Sequence, residues 1–191
     1  MPADSPSPLR GTSARTKRLL ALLVAIALAP VVLAYVAYYA WPRDARVNYG
    51  ELLAGTLPAI AGTRENGAPF DLATLRGRWI VLHAASGDCA ADCVAALYAS
   101  RQARTIQNAE RDRVVRVWLV TGGPAPGTAL LAQHPDLTVV RIDAPPALPE
   151  GLHQIYLVDP LGNFVLAWPS KPDIKAMAKD LRRVLRASSI G

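Results

Sequence analysis

Charge is scarce in this chain. Asp, Glu, Lys and Arg make up 19% of its 191 residues, against 51% apolar ones, which excludes an intrinsically disordered polypeptide. Cysteine and histidine are scarcer still, with two and three residues, so thiol or soft-metal chemistry has few positions to fall on. The 16 prolines and 13 glycines follow no repeat period, which excludes a collagen-like or low-complexity chain. At this length one domain of about 100 to 150 residues plus an appendage is expected.

A net charge of +6 raises the question of a nucleic-acid partner, and its placement answers it. Arg10, Arg15, Lys17 and Arg18 against Asp4 leave +3 before residue 19, Arg43 and Arg46 against Asp44 leave +1, and the other 145 residues hold only +2. The basic residues bracket one apolar segment, where they read as a topology signal and not as a phosphate-binding surface. No nucleic-acid partner is expected. The segment itself, residues 19–41, is 23 residues without a charge, a helix of about 34 Å against a hydrocarbon core of about 30 Å. Its length and its aromatic end, Tyr35, Tyr38, Tyr39 and Trp41, favour an uncleaved single-pass anchor over a secretory signal, whose apolar region is usually about 7 to 15 residues. Pro30, in mid-span, is tolerated in membrane helices. More basic residues precede the span than follow it, so the N-terminus is expected in the cytoplasm and the remainder in the periplasm, beyond the inner membrane. The expected organisation is a tail over 1–18, the anchor over 19–41, a linker over 42–54 and a folded domain over 55–191.

Within that domain Glu65-Asn66-Gly67 stands between two apolar runs, a hairpin signal. Residues 78–85 are nearly continuously apolar, as a strand covered on both faces requires. A helix is expected from Cys89 to about Glu110, then a strand over 114–121, a short helix near 128–133 and a strand over 137–142. A second hairpin, with arms 153–158 and 163–168, turns at Asp159-Pro160-Leu161-Gly162. From Asp173 to Ala187 a helix buries Ile174, Met177, Leu181, Val184 and Leu185 on one stripe. Strands alternating with helices, closed by a hairpin and a helix, give an α/β fold with a mixed sheet covered on both faces.

Cys89 and Cys93, in Cys-Ala-Ala-Asp-Cys, begin where the buried strand hands over to a helix. A cysteine in the first helical turn meets unsatisfied N–H groups and the positive end of the helix dipole, which favour the reactive thiolate. At i and i+4 the sulfurs can close on each other or on one soft ion, and two thiolates beyond a membrane suit Cu(I). A structural disulfide is the plainer alternative. For a third ligand, His134 in a polar loop reads as a solvated surface residue and His83 inside the strand as a core histidine. His153, opening a late strand, is the candidate.

The run from Gly67 to Cys93, GAPFDLATLRGRWIVLHAASGDCAADC, and the later HQIYLVDPLGN resemble the thioredoxin fold of the Sco copper chaperones of cytochrome c oxidase. TlpA-like thiol oxidoreductases are the next most similar. The resemblance covers about residues 55–187, and the three residues between the cysteines follow the Sco spacing. Departures are Val94 where Sco proteins usually have proline, Ala91 in place of an acidic residue with Asp92 one later, and Gly151 at the copper-binding histidine, two positions before His153. The resemblance implies a thioredoxin-like mixed sheet flanked by helices behind a single membrane helix. It also implies copper held by Cys89, Cys93 and His153, and a role in cytochrome c oxidase assembly by copper delivery to an oxidase subunit or another client, or by thiol reduction of the oxidase copper site. The pair is expected to face the solvent. A thiol-disulfide oxidoreductase in which Cys89, nearer the helix terminus and more exposed, attacks and Cys93 resolves, and a tethered binding module with a structural disulfide, are the other readings.

Overall fold

A computed structural model describes residues 14–40, 48–149 and 154–190. The chain forms two compact units, Met1–Arg46 and Val47–Gly191. In the first, α1 (Ala14–Ala40) is long and apolar enough to cross a membrane, and it buries none of its residues. The helix begins ahead of the apolar run, so Arg15, Lys17 and Arg18 stand on its first turns. Trp41, Arg43 and Arg46 lie outside the described residues.

The second unit is built on one mixed sheet in the order β1-β8-β7-β4-β5-β6-β2-β3. Its strands are β1 (Glu51–Leu52), β2 (Ala61–Arg64), β3 (Pro69–Asp71), β4 (Trp79–Ala85), β5 (Val114–Val120), β6 (Leu137–Arg141), β7 (Ile155–Val158) and β8 (Phe164–Trp168), with α2 (Ala91–Thr105), α3 (Thr128–Ala132) and α4 (Ile174–Ala187). β4, β5 and β6 run parallel, and β7 lies antiparallel to β4. The central strands are apolar on both sides because both sides are covered. On one face Ile80, Leu82, Val117, Leu119 and Val140 meet Ile60, Phe70 and Leu72. On the other, Val81, Ile155, Leu157 and Trp168 meet Ala96 and Ala103 of α2 and Met177, Leu181 and Leu185 of α4. Each fully buried Leu, Ile or Met contributes roughly 1.5–3 kcal/mol of transfer free energy.

Both expected hairpins form. β2 and β3 pair across the Asn66-Gly67 turn, closed by Gly67 N–H donating to Arg64 O at 2.9 Å. Gly67 takes a φ of +79° there, which glycine adopts at little cost. In the second, Asp159 Oδ1 accepts from the N–H groups of Leu161 (2.9 Å) and Asn163 (2.8 Å).

Two readings change. Residues 48–53, expected as linker, belong to the domain: Glu51 and Leu52 pair with Ala167 and Leu166, and buried Asp180 accepts from Gly50 N at 2.8 Å. The pairing partners lie more than a hundred residues away, so no local periodicity announces them. The helix expected over Cys89–Glu110 is shorter at both ends. Its C-terminus stops at Thr105, where Gln107 Nε2 donates to Ala103 O (2.7 Å) and Ala178 O (3.1 Å) and Asn108 turns to φ +53°.

Candidate functional site: a disulfide between β4 and α2

After Ala85 the chain must swing from strand to helix, and Ser86–Cys89 make the turn, with Cys89 N–H donating to Ser86 O at 3.1 Å. Cys89 takes φ +43°, a left-handed conformation that costs a non-glycine residue about 1–2 kcal/mol. Helix α2 then starts with Ala90 at its N-cap, and Val94 N–H donates to Ala90 O at 3.0 Å. Cys93 therefore sits in the first turn and Cys89 before the cap, which corrects the placement of Cys89 inside the turn. The two sulfurs, bonded to each other, both stand at the head of α2, where the positive end of the helix dipole lies. The two residues are joined as a disulfide, with Cα atoms 5.1 Å apart.

Solvent access also differs from expectation. Cys89 is 7% and Cys93 6% exposed, so the pair is closed on itself but largely covered, and neither residue is the more open. Leu97, Trp118, Val120 and Val139 pack around it, because β5 and β6 present apolar side chains on the face that α2 covers.

The turn leans on the segment after β5. Gly87 N–H donates to Gly122 O at 2.9 Å, and a Cβ at Gly87 would come within 2.0 Å of Pro124 O, so only glycine fits. That segment is held in turn by Arg141, whose Nη1 and Nη2 donate to Gly123 O (3.3 Å) and Pro124 O (3.1 Å). Across the first turn of α2, Lys171 Nζ lies 2.6 Å from Asp92 Oδ1.

His153 and Gly151 lie outside the described residues. His83 is a core histidine as read: 4% exposed, its Nδ1 is 3.2 Å from Gln154 O. His134 is not the solvated residue its polar neighbours suggested. It is 5% exposed, with His134 N–H donating to Leu131 O at 2.8 Å to close α3, and its Nδ1 has no hydrogen-bond partner among the described residues. Burial, then the charges of Arg116 and Arg101, hold its pKa below the ordinary 6.5. Among the described residues no group of three or more His, Cys, Asp and Glu is placed to hold a metal ion.

One supporting residue escaped the sequence reading. Arg116, in β5 and 1% exposed, donates from Nη2 to Leu97 O (2.7 Å) and from Nε to Ser100 Oγ (3.1 Å), under the helix that bears Cys93. Desolvation lowers its pKa to about 10, against the raising effect of Asp136. An arginine inside Val-Val-Arg-Val-Trp-Leu-Val is itself the signal that could have found it, since a buried charge requires a partner.

No curated protein matches the chain. Among solved structures, copper-bound ScoI of Bradyrhizobium japonicum is similar at 18% identity and a TM-score of 0.53, covering 68% of this chain and 99% of its own. Copper-bound ScoI of Arabidopsis thaliana is similar at 17% identity and a TM-score of 0.55, covering 70% of this chain and 100% of its own. The thioredoxin domain of a thiol-disulfide oxidoreductase from Bacteroides vulgatus is similar at 14% identity and a TM-score of 0.53, covering 71% of this chain and 99% of its own. These likenesses show a thioredoxin-like fold shared with the Sco proteins. Residues 79–188, over half of the chain, match the family described as transmembrane-like, thioredoxin-like, C-terminal domain, and to that family the chain belongs.

Proposed function

We propose that this is a membrane-tethered, Sco-like thioredoxin-fold protein whose Cys89–Cys93 pair carries copper, or reduces a client disulfide at the oxidase copper site, during cytochrome c oxidase assembly on the periplasmic side. The observation that carries the reading is the cysteine pair itself, within bonding reach at the strand-to-helix junction of a thioredoxin-like fold. Reduction frees two thiolate donors, a soft pair suited to Cu(I). Sulfurs bonded to each other offer no thiolate, so copper loading and the disulfide exclude one another. In this reading His153 supplies the third ligand, and copper is the cargo handed to the oxidase client. Two ScoI neighbours are copper-bound, which supports the assignment.

The second reading, thiol-disulfide exchange as an end in itself, is favoured by the closed disulfide and by the oxidoreductase neighbour. Cys89 thiolate attacks a client disulfide and one client sulfur leaves as thiolate. Cys93 thiolate then resolves the mixed disulfide, so the client gains two electrons and the pair loses two.

Titration of the reduced full chain in detergent separates the readings. The first expects one Cu(I) per chain, abolished by Cys89→Ser or Cys93→Ser and weakened by His153→Ala. The second expects no copper uptake but turnover of a disulfide substrate, with a mixed disulfide trapped on Cys89 in Cys93→Ser. Neither behaviour, together with resistance of the pair to mild reductant, sinks both readings. Protease added to spheroplasts should remove residues 48–191 and spare α1, as the proposed orientation requires.

A further inference from the structure

The positive charge of the folded domain is gathered on one helix. Residues 47–191 carry a net +2, and α4 alone carries +4, from Lys175, Lys179, Arg182, Arg183 and Arg186 against Asp180, so the rest of the domain is net −2. Asp180 is buried, and Arg183 turns toward it and toward Asn48. The other four cations stand at i, i+4, i+7 and i+11, within an arc of about 60° at about 100° per residue, on the side opposite Met177 and Val184. All four are exposed, and among the described residues none is ion-paired. Lys175 with Lys179 and Arg182 with Arg186 are like charges at i and i+4, which weakens a helix. A surface helix ordinarily mixes signs, so a face of one sign suits a partner of the other.

The chain enters the domain beside this face. Asn48 Oδ1 accepts from Arg183 Nη1, and Tyr49 Oη accepts from Asp173 N–H at 3.1 Å, so the first described residues of the domain run along α4. Seven residues, 41–47, separate Asn48 from Ala40 at the end of α1, a reach of at most about 25 Å. So short a tether turns contact with a bilayer that holds α1 into an intramolecular event. Lys171, four residues before the stripe, lies 2.6 Å from Asp92 in the first turn of α2, and α2 covers the same sheet face as α4. Contact through α4 therefore turns the layer that carries the cysteine pair toward the bilayer.

We propose that the face of α4 formed by Lys175, Lys179, Arg182 and Arg186 binds the anionic lipid headgroups of the membrane that anchors the chain. The inference goes beyond copper or thiol chemistry and holds whichever of those readings is right, because it assigns the surface on which the domain rests. Each cation brought to an anionic surface strengthens the contact about fivefold. The net negative remainder of the domain is repelled by the same surface, so the charge asymmetry also orients the domain.

The test places the full chain in nanodiscs of phosphatidylcholine, alone or with about one-third phosphatidylglycerol, and follows acetylation of Lys175 and Lys179 by an uncharged reagent with mass spectrometry. Acetylation should be about fivefold slower in the phosphatidylglycerol discs at low salt, and the difference should vanish at high salt. Arg182→Gln with Arg186→Gln leaves both lysines as probes and should bring the two rates together. Arg182→Lys with Arg186→Lys keeps the charge and should keep the rates apart. Because each result is a ratio between two discs for one variant, general loosening of α4 does not mimic it. Equal rates in the two discs for the unaltered chain, or full protection in the Gln pair, overturn the proposal. Slowing by added polyglutamate in phosphatidylcholine discs, with none from phosphatidylglycerol, gives the face to an acidic protein segment and overturns it as well.

Discussion

Arg116 Nη1 lies 3.1 Å from Asp136 Oδ1, and the other oxygen of that carboxylate accepts from Arg104 Nη1 at 3.1 Å. The pair stands at the loop before β6 and under α2, so the helix that carries Cys93 rests on an ionic support and not only on apolar packing. Removing one partner of a buried pair leaves an uncompensated charge, which costs more than removing both. Asp136→Ala should lower the unfolding free energy of the full chain by on the order of 3 kcal/mol, read from urea midpoints. Asp136→Leu combined with Arg116→Met should cost less, and a larger loss in the double variant contradicts the account.

His134 should make stability depend on pH. Its folded pKa is below the ordinary 6.5, through burial first and then Arg116 and Arg101. Protonation is therefore harder in the folded state, and the stabilisation is complete above pH 6.5 and declines as pH falls toward the lower folded value. Asp136 adds a second acid limb. Burial pushes its carboxyl up, but Arg116, a backbone hydrogen bond and Arg104 outweigh that and hold it below 3.8. Its contribution is present above 3.8 and is lost as pH falls through the lower folded pKa. Urea midpoints should fall between about pH 7 and about pH 5. His134→Gln should flatten that limb and leave the more acidic one, and an unchanged slope in the variant refutes the assignment.

Opening the disulfide should cost little. Cys89 and Cys93 are four positions apart, and closing so short a loop restricts the unfolded chain by only about 2 kcal/mol on the chain-entropy account. A dithiol reductant should therefore lower the melting temperature modestly and leave the fold intact. Loss of cooperative unfolding on reduction identifies the pair as a structural staple.

Asp180 ties the start of the domain to its last helix. It is 2% exposed and accepts from Gly50 N at 2.8 Å and Trp168 Nε1 at 3.2 Å. Asp180→Ala leaves two buried donors unpaired, at roughly 1–3 kcal/mol each. Limited proteolysis of the variant should cut within residues 48–53 at protease levels that spare the unaltered chain. Equal resistance removes the clamp.

How far the sequence could be read depended on the range of the interaction. The hairpin at Asn66-Gly67 was legible because a turn is a property of four neighbouring residues. The stripe Met177-Leu181-Leu185 was legible because helical spacing repeats within one element. His134 was misread for the opposite reason. Its neighbours Gln133 and Asp136 are polar, but it is buried, and the cationic charges that reach it, Arg116 and Arg101, stand on β5 and α2. The exposure of the cysteine pair was misread likewise, since Val120 and Val139 reach it from strands that follow it in the chain.

From the amino-acid order alone came an uncharged run long enough for a membrane span, a fold of alternating strands and helices, and one cysteine pair at a strand end. Local spacing and composition decide all of these. Only the tertiary structure decided that the pair is roofed over, that Cys93 and not Cys89 enters the helix, and that residues 48–53 are domain and not leash. The physical reason is that burial, charge pairing and the position of a turn depend on partners distant in the chain, which meet only when the sheet closes.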